Sequence, residues 1–531
     1  MAAGDVLVTG GPVWTGTRHV EAIGISGGRV VAAGDRTAVA EQLGHSATGV
    51  DVAGRRVIPG LIDSHVHVLR AGLNWNHMVR WDDITSLSDG LARIRTAAAS
   101  QPSGSWIRVL GGWHPGRFTE GRGPTRSDLD EAAGGHPAYV QLLYEEGVLN
   151  TAGLECLLAD GDLPGVDRDD SGRPTGRISG PVAFGSVLAQ FEQPSLADRA
   201  ASTRALLDDF AALGVTGGMD PGGFGISPES YTAMFDLWRR DELGMRVRLY
   251  LVPGSRGDEL ADIRNWVRYV QPGFGDDMLR YVGMGEIVSF GCHDLEGVRP
   301  FEVSPEARDE LLEISDLLAA HNWPIHLHAI FDSTIDAVLD AWEEVDRRHG
   351  LNGRRFSLAH AEQIGRRSLE RVRDLGAGIA VQNRLMYRSA DSAALWGGDV
   401  AANAPPLGDI LEMGIPLGAG TDATVVSPHD PWLSLWWLVT GRSFDGAPPR
   451  SERHRLSVEQ ALTAYTRGSA WFSFEEQTRG HLEPGALADL AVLDADPFSI
   501  DPDRLPEVRS DLTLVGGKPA HIGPPFIGAL G

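Results

Sequence analysis

Three observations predict that this chain is an α/β protein built around a (β/α)₈ barrel of the TIM type. Eight short apolar runs of strand length alternate with amphipathic helical segments through the middle of the sequence. Short apolar runs separated by glycine turns occupy both termini and predict a small β-sandwich domain. About 145 residues separate the first apolar run from the second, far more than a crossover needs, which predicts an inserted cap subdomain.

The two ends of the chain are predicted to form one domain together. The first sixty residues contain the runs DVLVTGG, VEAIGISGGRVVAAG and GRRVIPG, and the last fifty contain GALADLAVLDAD and DLTLVGGKP. Neither end alone has enough strands for a stable sheet. We therefore predict that residues 1–58 and 480–531 pair in a small β domain outside the barrel.

Residues 59–479 are predicted to form the barrel, with residues 70–200 as the inserted cap. The eight predicted strands are 61–68, 215–220, 246–252, 281–288, 324–330, 355–360, 378–382 and 415–422. Helix signals lie between them, and Ser304 followed by Pro305 is a cap residue with a first-turn proline. An open doubly wound sheet is the alternative, but no glycine-rich phosphate loop follows an early strand, which favours the barrel.

Composition excludes several classes of protein. The 531 residues include 47 basic and 72 acidic side chains, a formal charge of −25, which disfavours nucleic acid and anionic membranes as partners. Two cysteines cannot make a disulfide framework, and no apolar stretch approaches the length of a membrane span. Because the start MAAGDVLVTGG lacks a secretion signal, we expect a cytoplasmic enzyme acting on small molecules. The sequence leaves open whether the chain is a monomer or a homodimer.

Histidines and carboxylates lie at or near the carboxyl ends of the predicted strands. They are His65, His67, Glu286, His328, His360 and Asp422. A barrel brings these strand ends together, at the face where barrel enzymes place catalytic groups. Taken singly, each is a hydrogen-bonded core histidine or a solvated carboxylate. Brought together, the six groups would repel one another and lose their hydration unless a cation neutralised them. Their nitrogen and oxygen atoms are ligands that suit zinc, and we expect one or two zinc ions.

Other candidates are weaker. His326 lies two residues before His328 and is interpreted as a structural hydrogen-bonding residue one layer deeper in the barrel. The residues after strand seven could line a pocket: Gln382, Asn383, Tyr387 and Arg388. Four tryptophans in predicted loops could form an apolar substrate wall or pack in loop cores: Trp75, Trp81, Trp113 and Trp396.

The motifs VIPGLIDSHVH, AHAEQI, GAGTD and LEPGALADLAVLDADP, in that order, resemble the amidohydrolase superfamily. HAIFD, RLSVEQALTAYTRGSAW and DLDEAAGGHPAYV resemble in particular the YtcJ-like group, which includes N-substituted formamide deformylases. The resemblance covers nearly the whole chain. It implies a metal-dependent barrel hydrolase that acts on carbon–nitrogen bonds other than peptide bonds.

The resemblance also implies a ligand set: His65, His67, His328, His360 and Asp422. Strand four of the family usually supplies a bridging lysine, whereas the matching position here is Glu286, which can bridge directly. A histidine that the family commonly places five residues before an asparagine is replaced by Glu145 before Asn150. Glu145 or its neighbour Glu146 could contact substrate or lie on a strand edge.

The implied reaction is hydrolysis of an amide-type substrate, such as a formamide or an N-substituted or cyclic amide. Asp422 would take the proton of the attacking water and pass it to the departing amine, and His360 would help hold the metal at the carbonyl. A hydrolytic deaminase is one alternative, but its usual glutamate, three residues after the strand-five histidine, is Phe331 here. Other reactions of the superfamily and a noncatalytic metal-binding barrel are the remaining alternatives.

Overall fold

The computed structural model describes residues 5–44, 46–159, 161–295, 297 and 299–528. Its largest sheet has eight strands, and every pair of neighbours is parallel. In chain order, barrel strands one to eight are Leu61–Asp63, Val215–Asp220, Arg246–Leu251, Leu279–Glu286, Ile325–Ala329, Ser357–His360, Gly378–Gln382 and Leu417–Gly420. The predicted eight-stranded barrel is confirmed.

The barrel closes between strands eight and one. Ser64 N donates a hydrogen bond to Ala419 O at 3.0 Å, and Asp422 N donates to His65 O at 2.8 Å. Strand one is shorter than the predicted run 61–68, because the Asp63 carboxylate accepts the His65 amide at 3.0 Å and ends the ladder there. The two histidines therefore lie on a loop beyond the strand.

Helices surround the barrel and bury its outer face. The longer ones are Leu196–Ala212, Thr232–Arg239, Glu259–Tyr269, Pro305–Ala320, Asp332–His349, Arg366–Asp374, Leu385–Trp396 and Pro431–Thr440. The helix after strand four begins as predicted, since the Ser304 side chain accepts the Ala307 amide and Pro305 occupies the first turn. One large apolar core joins these helices to the strands.

Strands from the two termini share one of the two sheets that they form outside the barrel. Leu490–Leu493 pairs antiparallel with Arg56–Pro59, as expected from the terminal runs. One sheet has the order Lys518–Ile522, Ser510–Val515, Leu490–Leu493, Arg56–Pro59, Val13–Trp14 and His19–Val20. The other has the order Arg29–Gly34, Ala22–Ser26, Val6–Thr9 and Thr48–Asp51. A common apolar core between them makes a sandwich, while the domain boundaries at 58 and 480 stay predictions.

The segment between barrel strands one and two has its own sheet and cores. Its strand order is Val166–Arg168, Pro174–Ile178, Glu146–Leu149, Ala138–Leu142 and Ile107–Leu110, with helices Leu87–Ser100, Arg126–Ala133, Thr151–Leu157 and Pro181–Leu188. Gly112 N of this segment donates to Val425 O, in the loop after strand eight, at 3.4 Å. The segment therefore contacts the carboxyl end of the barrel, where a cap would lie.

In the described part of the chain, no helix is both long and apolar enough to cross a membrane. The cytoplasmic location and the oligomeric state stay predictions from the sequence.

A buried ion-pair network ties strand three to the segment that leads into the terminal sandwich. Arg248 on strand three donates to both carboxylate oxygens of Glu475, at 2.8 and 2.7 Å, and Arg479 donates to the same carboxylate at 2.8 Å. All three side chains are 7% exposed or less. The network therefore holds strand three against the segment that contains Glu475 and Arg479.

We expect Glu475→Ala to lower the free energy of unfolding by about 3–5 kcal/mol, because it leaves two buried guanidinium groups without their carboxylate. Urea unfolding followed by circular dichroism measures this. The control is Glu313→Ala, which breaks an exposed pair with Arg264 and should change stability by about 1 kcal/mol or less. Equal effects of the two substitutions would contradict the role of the network.

Candidate metal centre

The six strand-end residues predicted to form a site come together at the carboxyl end of the barrel. Glu286 Oε2 lies 3.3 Å from His65 Nε2, 3.5 Å from His328 Nδ1 and 3.8 Å from His360 Nε2, and Glu286 Oε1 lies 3.5 Å from His67 Nε2. Asp422 Oδ1 lies 3.1 Å from His67 Nε2. We call these six residues the imidazole–carboxylate cluster. All six are buried.

The chain holds the cluster through the ends of strands one and eight. The Asp63 carboxylate accepts hydrogen bonds from Thr421 Oγ1 at 2.6 Å and from the His65 amide, which fixes His65 beside Asp422. Asp422 and His360 have left-handed backbones, with φ of 55° and 70°. Non-glycine residues seldom adopt this conformation, and such strain is concentrated at functional sites.

A chain of hydrogen bonds fixes the tautomer of His65. Ser357 Oγ donates to the carbonyl of Ile325 at 3.1 Å, so it accepts from His326 Nδ1 at 2.9 Å. His326 Nε2 is then the acceptor for His65 Nδ1–H at 3.0 Å. A neutral His65 therefore presents an unprotonated Nε2 to the cluster, and that buried atom has no hydrogen-bond partner among the described residues. His326 has the structural role inferred from the sequence.

Two further imidazoles are oriented in the same way. His67 Nδ1 donates to Gly222 O at 2.8 Å, and His328 Nε2 donates to Leu295 O at 2.6 Å and lies 3.0 Å from Asp294 Oδ1. Their other ring nitrogens face Glu286. Metal-binding histidines characteristically donate their distal N–H to a carbonyl or carboxylate in this manner. The donor set therefore fits a metal ion such as zinc.

The charges in the cluster also favour a cation. Burial alone would raise the pKa of Glu286, but the surrounding imidazoles of His65, His328 and His360 hold that pKa well below its usual range. Burial raises the pKa of Asp422 to about 6 although His65 opposes this effect. Among the described residues, no lysine or arginine forms a salt bridge with either carboxylate, and a metal ion would neutralise their negative charge.

Sequence reasoning missed a fifth histidine beside the cluster. The ring of His293 stacks on that of His328, with centroids 3.9 Å apart, and one of its ring nitrogens lies near Glu286. Its Nδ1 accepts the Leu295 amide at 3.0 Å. The proton of a neutral His293 is therefore on Nε2, which makes this atom a donor rather than a metal ligand. The only signal in the sequence was the histidine in SFGCHDLEG, after strand four.

The weaker candidates have mostly structural contacts. Gln382 Oε1 accepts the His360 amide at 2.7 Å, while the buried Asn383 side chain has no hydrogen-bond partner among the described residues. Tyr387 is buried and stacks on His114 of the insertion. Trp75, Trp81 and Trp113 are buried and pack in the core rather than forming a substrate wall. Trp396 is half-buried and contacts Phe331.

Glu145 and Glu146 both form ion pairs. Glu145 pairs with Arg388, which follows strand seven, and Glu146 pairs with Arg177 on the insertion sheet. Glu145 therefore reaches the mouth of the barrel, whereas Glu146 belongs to a strand edge.

Comparison with known proteins identifies relatives along the whole chain. The model of the amidohydrolase family matches residues 48–521. N-substituted formamide deformylase of Arthrobacter pascens is 26% identical, with 94% of each chain covered, and the putative amidohydrolase YtcJ of Bacillus subtilis is 23% identical over 94% of this chain and 96% of its own. A metal-dependent hydrolase of Pyrococcus horikoshii, of known structure but uncharacterised, superposes with a TM-score of 0.67 at 23% identity, covering 94% of this chain and 99% of its own.

We expect His293→Phe to leave the metal content unchanged, because the Nδ1 contact with Leu295 places the His293 proton on the remaining nitrogen. Elemental analysis of the purified variant measures this, with His67→Phe as the matched substitution that should lose metal. An equal loss of metal in both variants would make His293 a ligand and would contradict its assigned tautomer.

Proposed function

Because this chain belongs to the amidohydrolase family, we propose that it hydrolyses the C–N bond of an amide-type small molecule, using one or two divalent ions, with zinc as the favoured metal. The ligands in this proposal are His65, His67, Glu286, His328, His360 and Asp422. Glu286 stands in the place of a bridging lysine and lies between the histidines of strand one and those of strands five and six.

One observation carries the proposal. Three buried imidazoles each use their distal nitrogen as a hydrogen-bond donor and turn the other nitrogen toward the ionised Glu286. Unprotonated imidazole nitrogen and carboxylate oxygen are the ligands that zinc prefers outside thiolate sites. When bound, such an ion lowers the pKa of water to near neutrality and polarises a carbonyl.

The residues of the chain supply the proton transfers. Asp422 accepts the proton of the water whose oxygen attacks the carbonyl carbon, and it gives that proton to the nitrogen as the C–N bond breaks. The products are a carboxylic acid and an amine. His360 is proposed to help hold the ion at the carbonyl oxygen, with its backbone fixed by Gln382.

The formamide deformylase relative supports N-substituted formamides as the first substrates to test. A deaminase is less well supported, since position 331 carries a phenylalanine whose amide donates to Asp294. A screen of the zinc-loaded protein over formamides, aryl amides, carbamates and cyclic amides tests the proposal. No hydrolysis of any of them would contradict it.

We expect Glu286→Ala to reduce bound metal to at most half, because all four cluster imidazoles lose the carboxylate that lies among them. Protein purified without chelator and analysed for transition metals provides the measurement, and Glu313→Ala is the exposed control. Activity should also be independent of bicarbonate during metal loading, since no lysine needs to be carboxylated. Full metal content in Glu286→Ala would remove this residue from the ligand set.

We expect Asp422→Asn to reduce turnover by about 10²- to 10⁴-fold, the usual contribution of general acid–base assistance. The amide keeps the shape of the side chain and removes the proton acceptor. Turnover is measured at saturating zinc, with bound metal determined on the same sample, so that metal loss is separated from lost proton transfer. Near-normal turnover with metal retained would exclude Asp422 from the chemistry.

A further inference from the structure

One arginine lies at the barrel mouth, next to the imidazole–carboxylate cluster. Arg70 belongs to the short helix Val68–Gly72, which begins directly after His67. Burial lowers the pKa of Arg70, but the hydroxyl of Tyr144 and the carboxylates of Glu286 and Asp422 more than offset this effect, so the pKa is raised above its usual value. Arg70 is therefore a cation close to the cluster, and its side chain is partly exposed.

The contact that holds Arg70 comes from the inserted segment. Its guanidinium carbon lies 5.7 Å from the centre of the Tyr144 ring. Tyr144 is in the turn between strands Ala138–Leu142 and Glu146–Leu149, and the next residue, Glu145, pairs with Arg388 beyond strand seven. The tip of this hairpin thus reaches two arginines, one beyond strand one and one beyond strand seven.

The two arginines differ in one respect. Arg388 has carboxylate partners, Glu145 and Asp391. Within the described ranges, Arg70 has no carboxylate within 4.0 Å and donates no side-chain hydrogen bond, although Glu286 and Asp422 are near enough to act on its charge. Arg246, by comparison, pairs with the carboxylate of Asp489 at 2.8 Å. An arginine fork held over an aromatic ring with its donors unused is suited to a planar carboxylate.

We propose that Arg70 binds an anionic group of the substrate, so that the preferred substrates are amides carrying a carboxylate a few bonds from the scissile C–N bond, of which N-acyl amino acids are the simplest. This inference rests on the proposed hydrolase function. The guanidinium lies against the Tyr144 ring, and Arg70 follows His67 by three residues, so a carboxylate held by Arg70 would lie on the side of the barrel that carries the cluster.

The overall charge of −25 does not oppose this. At physiological ionic strength, charges farther away than about 8 Å are largely screened. The field that a carboxylate meets at the mouth is therefore set by the charges close to it, which include Arg70, the cluster and the Glu145–Arg388 pair.

The experiment uses matched pairs of substrates on the zinc-loaded enzyme. N-formyl and N-acetyl amino acids are compared with the same compounds as carboxamides, in which the charge is removed and the shape kept. A charge-assisted hydrogen bond is worth about 1.5–3 kcal/mol, so we expect kcat/KM to favour the carboxylate by about 10- to 100-fold. In Arg70→Met this ratio should fall toward one, and in Arg70→Lys it should take an intermediate value.

Two controls separate this effect from others. Arg93→Met removes an arginine that pairs with Asp83 on the insertion and should keep the wild-type ratio. Metal content and the melting temperature of each variant are recorded beside the kinetics. If Arg70→Met reduces turnover of both members of a pair equally, or reduces bound metal, Arg70 balances the charge of the cluster and the inference is overturned.

A binding measurement separates failure of this inference from failure of the proposed function. Calorimetry with N-methylsulfonyl glycine, which is not hydrolysed, and with its carboxamide should show tighter binding of the carboxylate in wild type and no difference in Arg70→Met. This result without any amide hydrolysis would support the Arg70 site and refute the hydrolase. Hydrolysis of amides with no preference for the carboxylate would refute the Arg70 site alone.

Discussion

The burial of Glu286 among imidazoles is the constraint on which the rest of the site depends. A carboxylate ionised in the interior needs positive charge or donors close by, and the nearest groups are histidines whose distal nitrogens already donate to Gly222, Leu295 and His326. The inward nitrogens are therefore acceptors, as the carboxylate is. A cation stabilises such a set of converging acceptors, which is why a metal centre is proposed here.

The contacts that position the cluster and the ion pairs that stabilise the fold lie in different parts of the barrel. At the carboxyl end of the strands, the Asp63 contacts with His65 and Thr421 fix the two strand ends that carry cluster residues. At the other side, strand three is tied through Arg248 to Glu475 and so to the segment entering the terminal sandwich. The residues proposed to bind metal are thus separate from the buried ion pairs that tie the barrel to the terminal sandwich.

The inserted segment contributes side chains to the barrel mouth that the strand ends do not supply. The proposed metal ligands come from strand ends that any member of this architecture could supply, whereas the hairpin tip brings Tyr144 and Glu145 to Arg70 and Arg388. A positive charge at the mouth, such as that of Arg70, discriminates between substrates by their charge and shape, whereas it has little influence on which bond is cleaved. Selectivity in this protein is therefore expected to reside in these contacts.

The sequence by itself determined the eight strands, the pairing of the terminal strands and the proximity of the six cluster residues, because strand periodicity and polar residues at strand ends are local signals. Tertiary structure alone decided the end of strand one at Asp63, the tautomers of His65 and His328, the stacking of His293 on His328 and the contact between Arg70 and Tyr144. Hydrogen-bond direction and ring stacking depend on atoms from distant segments meeting within a few ångströms, and no local pattern of residues encodes that distance.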